Sequence, residues 1–319
     1  MTDIAQHRST FRLGEVPIPI FAIGMGVLGL GLCWRYAGLL IGAPRMPADI
    51  MLLGGIILSA AALAIQAIRL FRAPGGLADE VRHPVRGPLI AQPIVVILLI
   101  AEATAHDFSL LSEGLLSVGA ILSLGVTLWV LARHIGRLID MSAISPTWLV
   151  APIAIEIAAI LFASEHRHAL ASALLGCAVI THLVLMPAVL LRLILTGPLP
   201  PPAQPLVVIL TAPLPLLFIA YVQIVGLDLV AWGIIGASFL VAGVVLATIR
   251  RWRRAPFGLP WWALGMPPAA VVLAVITLAE KIQAPSVTGF ALVLVVAQSI
   301  VTGWLLVRTA MAAARGELF

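Results

Sequence analysis

Long apolar runs recur along the chain, separated by short stretches rich in arginine, proline and glycine. A hydrocarbon core of about 30 Å takes about 20 helical residues to cross. The runs predict ten crossings, near 17 to 42, 48 to 72, 88 to 105, 110 to 132, 147 to 163, 169 to 195, 205 to 226, 228 to 249, 257 to 280 and 286 to 310. Proline punctuates every second run, at Pro17 and Pro19, Pro93, Pro152, Pro213 and Pro215, and Pro267 and Pro268, while the intervening runs mostly lack it. Pro187, in the sixth run together with His182, is the exception. A period of about 60 residues is the length of a two-helix unit. The pattern therefore predicts five helical hairpins in series. Proline removes a backbone donor, bends a helix and leaves a carbonyl one turn back without its usual partner. In a bilayer such a group must face protein or water. Five bent odd-numbered helices enclosing a pathway, with five straighter even-numbered ones facing lipid, are the expected arrangement.

Composition places the chain firmly in the membrane class. Of its 319 residues 61% are hydrophobic and 10% charged, and the mean hydropathy is +1.12, too apolar for a soluble domain of this length. A single transmembrane domain over 1–319 is expected, opened by a short polar cytoplasmic segment, 1–16, that lacks the features of a removed signal peptide. If the N-terminus is cytoplasmic, that side gathers every Lys and Arg except Arg35, Arg45, Arg167 and Lys281, with Arg8 and Arg12 before the first crossing and Arg137 after the fourth. This positive-inside bias puts both termini in the cytoplasm and the protein in the inner (plasma) membrane as a multi-pass protein. The pI of 10.2 then reports topology and not nucleic-acid binding. The basic run Arg250 to Arg254, which contains Trp252, reads as an interfacial anchor near anionic lipid.

Several chemistries fall away. Cys33 and Cys177 both lie in apolar runs, so neither a disulfide framework nor a thiolate metal site is indicated. The seven histidines show no metal-ligand spacing. No glycine-rich phosphate loop follows a predicted strand, because no strand is predicted. No nucleophile, base and orienting carboxylate stand in recognisable register. We therefore expect no cofactor, no metal and no enzyme activity. The first run carries Phe21, Gly24, Gly26, Gly29 and Gly31; such glycines serve close helix packing or line a pore. Gly38 and Gly42 have the spacing of a helix-packing pair. Glu156, one turn beyond Pro152, falls mid-run, where an ionised carboxylate costs about 3 kcal/mol on insertion scales. It is a possible proton site, a group kept neutral by burial, or a partner of a neighbouring helix. Glu102, near His106 and Asp107, is expected at the outer surface.

Several stretches resemble one known family. They are Pro19-Ile-Phe21 leading to Met25-Gly26-Val27-Leu28-Gly29-Leu30 and Cys33-Trp34-Arg35, His83-Pro84-Val85-Arg86 before the third crossing, and Ser145-Pro146-Thr147-Trp148 with Pro152 opening the fifth. Trp261-Trp262-Ala263 with Pro267 in the ninth, and Arg308-Thr309 with Gly316-Glu317-Leu318-Phe319 at the end, complete the set. In order and spacing they resemble the tellurite-resistance and dicarboxylate-transporter family, which also contains the plant slow anion channels. The resemblance implies an all-α integral membrane fold, ten helices as five hairpins in quasi-fivefold arrangement around a central pore, and a homotrimer with one pore per subunit. Pro93, Pro152, Pro213 and Pro267, with Phe21 and Gly24, are the expected pore-lining residues. A phenylalanine that plugs the family's pore, just before the ninth helix's proline, is matched here by Met266, with Leu264 two residues earlier. The departure is to a flexible, unbranched side chain. His83 and Arg86 are candidates for a cytoplasmic vestibule. The activity implied is a channel for small anions gated by an apolar side chain of helix nine. The alternatives are a proton-coupled transporter of a dicarboxylate, sulfite or a tellurium oxyanion, and a membrane-embedded binding or sensing protein with an occluded pore.

Overall fold

The computed structural model describes residues 16–136 and 138–318. Arg8, Arg12, Arg137, Phe319 and all but the last residue of the segment 1–16 lie outside the described residues. Among the described residues the chain is helical throughout, with no strand. Ten helical stretches are long and apolar enough to cross a membrane: Ile18–Ile41, Met46–Arg72, Gly87–Thr104, Ser109–His134, Pro146–Ser164, His168–Leu195, Pro201–Ile224, Leu229–Ala247, Leu259–Ile282 and Pro285–Arg315. These are called the first to tenth spans below. Each falls within a few residues of an apolar run, because the run lengths leave little freedom once the bilayer thickness is set. Two short helices, Pro74–Arg82 and Ile249–Trp252, were not visible as apolar runs.

Burial divides the spans by parity. In their most apolar windows the odd spans have 61–89% of residues buried, against 22–39% for the even spans. Each odd span packs on the next, first on third, third on fifth, fifth on seventh and seventh on ninth, and the ninth returns to the first. Even spans lie against their odd partners and leave large apolar side chains outward, among them Leu53, Ile121, Ile180, Leu240 and Val293. In lipid no water is expelled when two apolar helices meet, so close approach and dispersion decide the contact. The first span supplies that closeness. A Cβ added at Gly31 would lie 2.8 Å from Leu52 of the second span, and one at Gly26 would lie 2.9 Å from the Trp262 ring of the ninth.

The proline repeat has a more specific basis than a bent helix. Every odd span begins as a 3₁₀-helix and becomes an α-helix partway along. The changes run from Ile18–Ile20 to Phe21–Ile41, Gly87–Ala91 to Gln92–Thr104, Pro146–Leu149 to Val150–Ser164, Pro201–Thr211 to Pro213–Ile224, and Leu259–Leu264 to Met266–Ile282. The prolines sit at these junctions. Pro93, Pro152, Pro213 and Pro267 occupy the first turn of the α-segment, where the missing N–H has no intrahelical acceptor to serve. The 3₁₀ stretch of the seventh span is 11 residues long, far beyond the usual three or four. Pro201 and Pro202 open this stretch and Pro205 lies inside it, where it removes one interior donor.

Polar ties fix the ends. Arg69 and Glu80 form a buried pair (2.5 Å) between the second span and helix Pro74–Arg82, and the second Glu80 oxygen accepts from the Ile18 N–H at 3.0 Å. Arg69, counted in the sequence as a topology marker, is thus a structural residue. The family-like motifs also pair with one another. Trp148 Nε1 donates to the Pro84 carbonyl (3.0 Å) and Thr147 Oγ1 to that of Val85 (2.6 Å), joining the fifth span to the His83–Arg86 loop. Trp262 Nε1 donates to Thr309 Oγ1 at 2.9 Å, while Arg308 lies over the Phe257 ring. Gly42 ends the first helix with φ of +65°, and the nearest atom to a Cβ at Gly38 would be the Ala43 carbonyl oxygen. Within this chain the pair lies at a helix terminus and packs against no other span.

Candidate functional site

A cavity of about 150 Å³ takes its lining from all five odd spans. Its apolar part draws on every one of these spans, through Leu32, Leu99, Ile157, Leu216 and Met266 among others. Towards the C-terminal ends of the same spans the lining turns polar, with Tyr36, Glu102, Gln223, Thr277, Glu280 and Lys281. Met266 and Lys281 stand at opposite ends of helix Met266–Ile282, about 22 Å apart at 1.5 Å per residue. The cavity is therefore deep, apolar inside and polar at its mouth. The mouth lies at the end of the fold opposite the arginine-rich termini.

Charges at the mouth are largely engaged. The Tyr36 hydroxyl donates to a Glu102 carboxylate oxygen. Arg35 donates to the Ala103 carbonyl at 2.8 Å and pairs with Asp49 at 3.2 Å, binding the first span to the third and second. Lys281 Nζ lies 3.8 Å from Glu280. Just outside the spans, the carboxyl of Asp107 is held below its ordinary range by His106, which hydrogen-bonds it, and by Arg45.

Met266 is buried and follows the 3₁₀ to α change directly. Gly265 bridges the two helix types with φ −79° and ψ −86°. Pro267 and Pro268 cannot donate to the carbonyls one turn back, and the tenth span makes up part of the loss. Gln298 Nε2 donates to the Leu264 carbonyl at 3.1 Å and to the Gly265 carbonyl at 2.8 Å. We expect Gln298→Leu to destabilise the protein by about 1–3 kcal/mol, the cost of leaving a buried polar group unpaired. Thermal unfolding in detergent measures it, and a wild-type midpoint would show that the carbonyls find another donor.

The remaining candidates are scattered. Leu264 is half-buried and does not line the cavity. Phe21 is buried where the α-segment of the first span begins, away from the cavity lining. Gly24 faces the second span: a Cβ there would fall 2.1 Å from Ser59 Oγ. Close helix packing, one of the two roles open to the first-span glycines, is the role this position takes. Pro93, Pro152, Pro213 and Pro267 stand at their junctions and are not among the residues lining the cavity. Glu156 is directed at the sixth span, where His182 Nδ1 lies 3.3 Å from its carboxylate. The two share a separate crevice of about 260 Å³ with Pro187 and Pro213. His182 Nδ1 also lies 3.1 Å from the Ala178 carbonyl oxygen one turn back.

His83 and Arg86 belong to a loop outside the spans. His83 Nδ1 accepts from the N–H groups of Val85 and Arg86, at 3.1 and 3.2 Å. Burial first, then the charges of Arg86 and Arg133, lower its pKa below the usual histidine value. A neutral His83 shapes the loop and adds no positive charge to it. Glu102, expected at the outer surface, lines the shared cavity instead. Sequence reasoning missed the polar mouth as a group, although a signal for it exists. Four of the five odd spans carry a polar lining residue near their C-terminal end: Tyr36, Glu102, Gln223 and Glu280. Among the described residues no group of three His, Cys, Asp or Glu side chains could hold a metal ion.

The family model described as voltage-dependent anion channel matches residues 15–310. The chain belongs to this family. The match takes in all five odd spans and the shared cavity, and it makes the protein a multi-pass membrane anion channel or transporter, in a family of channels and transporters rather than enzymes. No curated protein matches the chain.

Proposed function

We propose that this family member conducts small anions through the cavity shared by its odd spans, and that Met266 of the ninth span closes the path. The observation that carries the reading is that one cavity draws its walls from the first, third, fifth, seventh and ninth spans and reaches Met266. The circuit of contacts among those spans is then a quasi-fivefold ring of five hairpins with the conduction path at its centre. The arginine-rich face is cytoplasmic by the positive-inside rule. The outward apolar side chains of the even spans face lipid and neighbouring subunits of a homotrimer in the inner membrane, one path per subunit. An apolar throat suits conduction, because no fixed positive charge holds the anion once it has entered. The anion is selected by the cost of shedding water.

Reconstitution of the full chain into liposomes tests the proposal, with chloride, nitrate, sulfite and malate as the panel. Electrogenic flux without a pH gradient is the expected result. Flux that strictly requires a pH gradient would instead make the protein a proton-coupled carrier, and no flux for any anion would sink the reading.

Glu156 bears on the carrier alternative. Its partner is His182 and it stands outside the shared cavity, so the pair supports the fold more readily than it loads protons onto a substrate. We expect Glu156→Gln, which keeps a hydrogen bond to His182, to leave the pH dependence of flux unchanged. A profile flattened by this substitution would return Glu156 to the transport cycle.

A further inference from the structure

A second cavity, of about 430 Å³, shares no lining residue with the first and lies at the arginine-rich end of the sixth, seventh and eighth spans. Leu193, Val207, Leu210 and Val244 make its wall apolar, and Arg251, which is exposed, and Trp252, which is buried, also line it. Arg250, Arg253 and Arg254 are exposed beside them, and among the described residues no carboxylate pairs with any of the four arginines. Gly197 completes the wall. Its carbonyl accepts from the buried Arg192 at 2.9 Å, whose Nε has no partner among the described residues. The volume is that of a small-molecule site, within about 300–1,000 Å³.

We propose that this cavity binds an anionic glycerophospholipid, with an acyl chain along Leu193, Val207, Leu210 and Val244 and the phosphate on Arg251. Three observations select that occupant. The eighth span has only 22% of its apolar window buried, so the groove opens on a face turned to lipid. A free inorganic anion would satisfy the arginines and leave the apolar wall bare. A second copy lying alongside in the same membrane orientation would bring its own four arginines to the same depth, where like charges repel.

Native mass spectrometry of the full chain in neutral detergent, titrated with phosphatidylglycerol or phosphatidylcholine, tests this. Phosphatidylglycerol is expected to bind about fivefold more tightly, and Arg251→Ala to remove that advantage, since one arginine near an anionic headgroup is worth about fivefold in affinity. Val244→Trp, made at an exposed position, fills the groove and lowers the occupancy of both lipids. Equal retention of the two lipids, untouched by Arg251→Ala, would overturn the proposal. Full competition by glycerol phosphate, which has no chain, would reassign the cavity to a free anion. Disulfide capture between copies carrying Val244→Cys would assign it to a subunit contact.

Discussion

Met266→Ala is expected to raise anion conductance at least about tenfold, equivalent to roughly 1.4 kcal/mol off the barrier to permeation. Met266 is buried at the deep end of the shared cavity. Its backbone follows a helix break that the tenth span braces through Gln298, and its side chain runs over Gly29 of the first span. A Cβ at Gly29 would lie 3.7 Å from Met266 Cγ. Removing three heavy atoms there opens the narrow apolar section, and an apolar constriction that widens enough to stay wet conducts. The same change costs stability, about 2–5 kcal/mol for a fully buried methionine. The two effects have opposite signs in the measurement, since unfolded protein lowers current and an open path raises it. Conductance in oocytes or liposomes, normalised to folded protein, separates them. Met266→Phe extends the test, because the family-like aromatic ring is stiffer than a thioether chain and should lower conductance below wild type. A wild-type level for Met266→Ala would place the gate elsewhere.

Conduction also depends on what the mouth does not do. Tyr36 and Arg35 hold Glu102 and its neighbouring carbonyls, and Lys281 stands beside Glu280, so an approaching anion meets charges that already have partners, while Gln223 Oε1 of the same lining has none among the described residues. Weak, multiple contacts of this kind admit an ion without trapping it. The basic surplus sits at the other end of the fold, on loops and span termini.

The sequence revealed most of the fold because bilayer thickness and proline chemistry both act locally. Apolar run length located the spans, and the alternation of proline located the buried odd ones before any contact was known. What proline does there was only half legible. The residues show that donors are missing, but whether the chain bends as an α-helix or starts as a 3₁₀-helix depends on substitute donors such as Gln298 Nε2, more than 30 residues away. The candidate site was less legible still. Met266 read as functional through the family resemblance and Glu156 through its place in an apolar run, yet of the two only Met266 lines the shared cavity. A helix presents its faces at 3.6 residues per turn, and which neighbour each face meets is a tertiary fact. Gly24 and Gly26 show this within half a turn: the first meets Ser59 of the second span and the other meets Trp262 of the ninth.

Gly265→Ala is the substitution that should couple that packing to the gate. A Cβ at Gly265 would fall 2.7 Å from Gly26 Cα and 3.1 Å from the Trp262 carbonyl oxygen. Both are backbone atoms, so no side-chain rotation relieves the clash and the first and ninth spans must move apart. Overpacking of this sort costs about 1–3 kcal/mol. Trp262 limits the escape, being buried and hydrogen-bonded to Thr309. Met266 follows immediately in the chain, so the displacement shifts the closing side chain as well. The expected result is a lowered unfolding midpoint together with a raised basal anion leak, from a residue that does not itself line the cavity. Gly243→Ala in the eighth span is the control. A Cβ there meets nothing within 4 Å, so neither quantity should worsen. If Gly265→Ala loses stability without gaining leak, the backbone crossing holds the fold but does not set the position of the gate; if it loses neither, the first and ninth spans are not in the contact described.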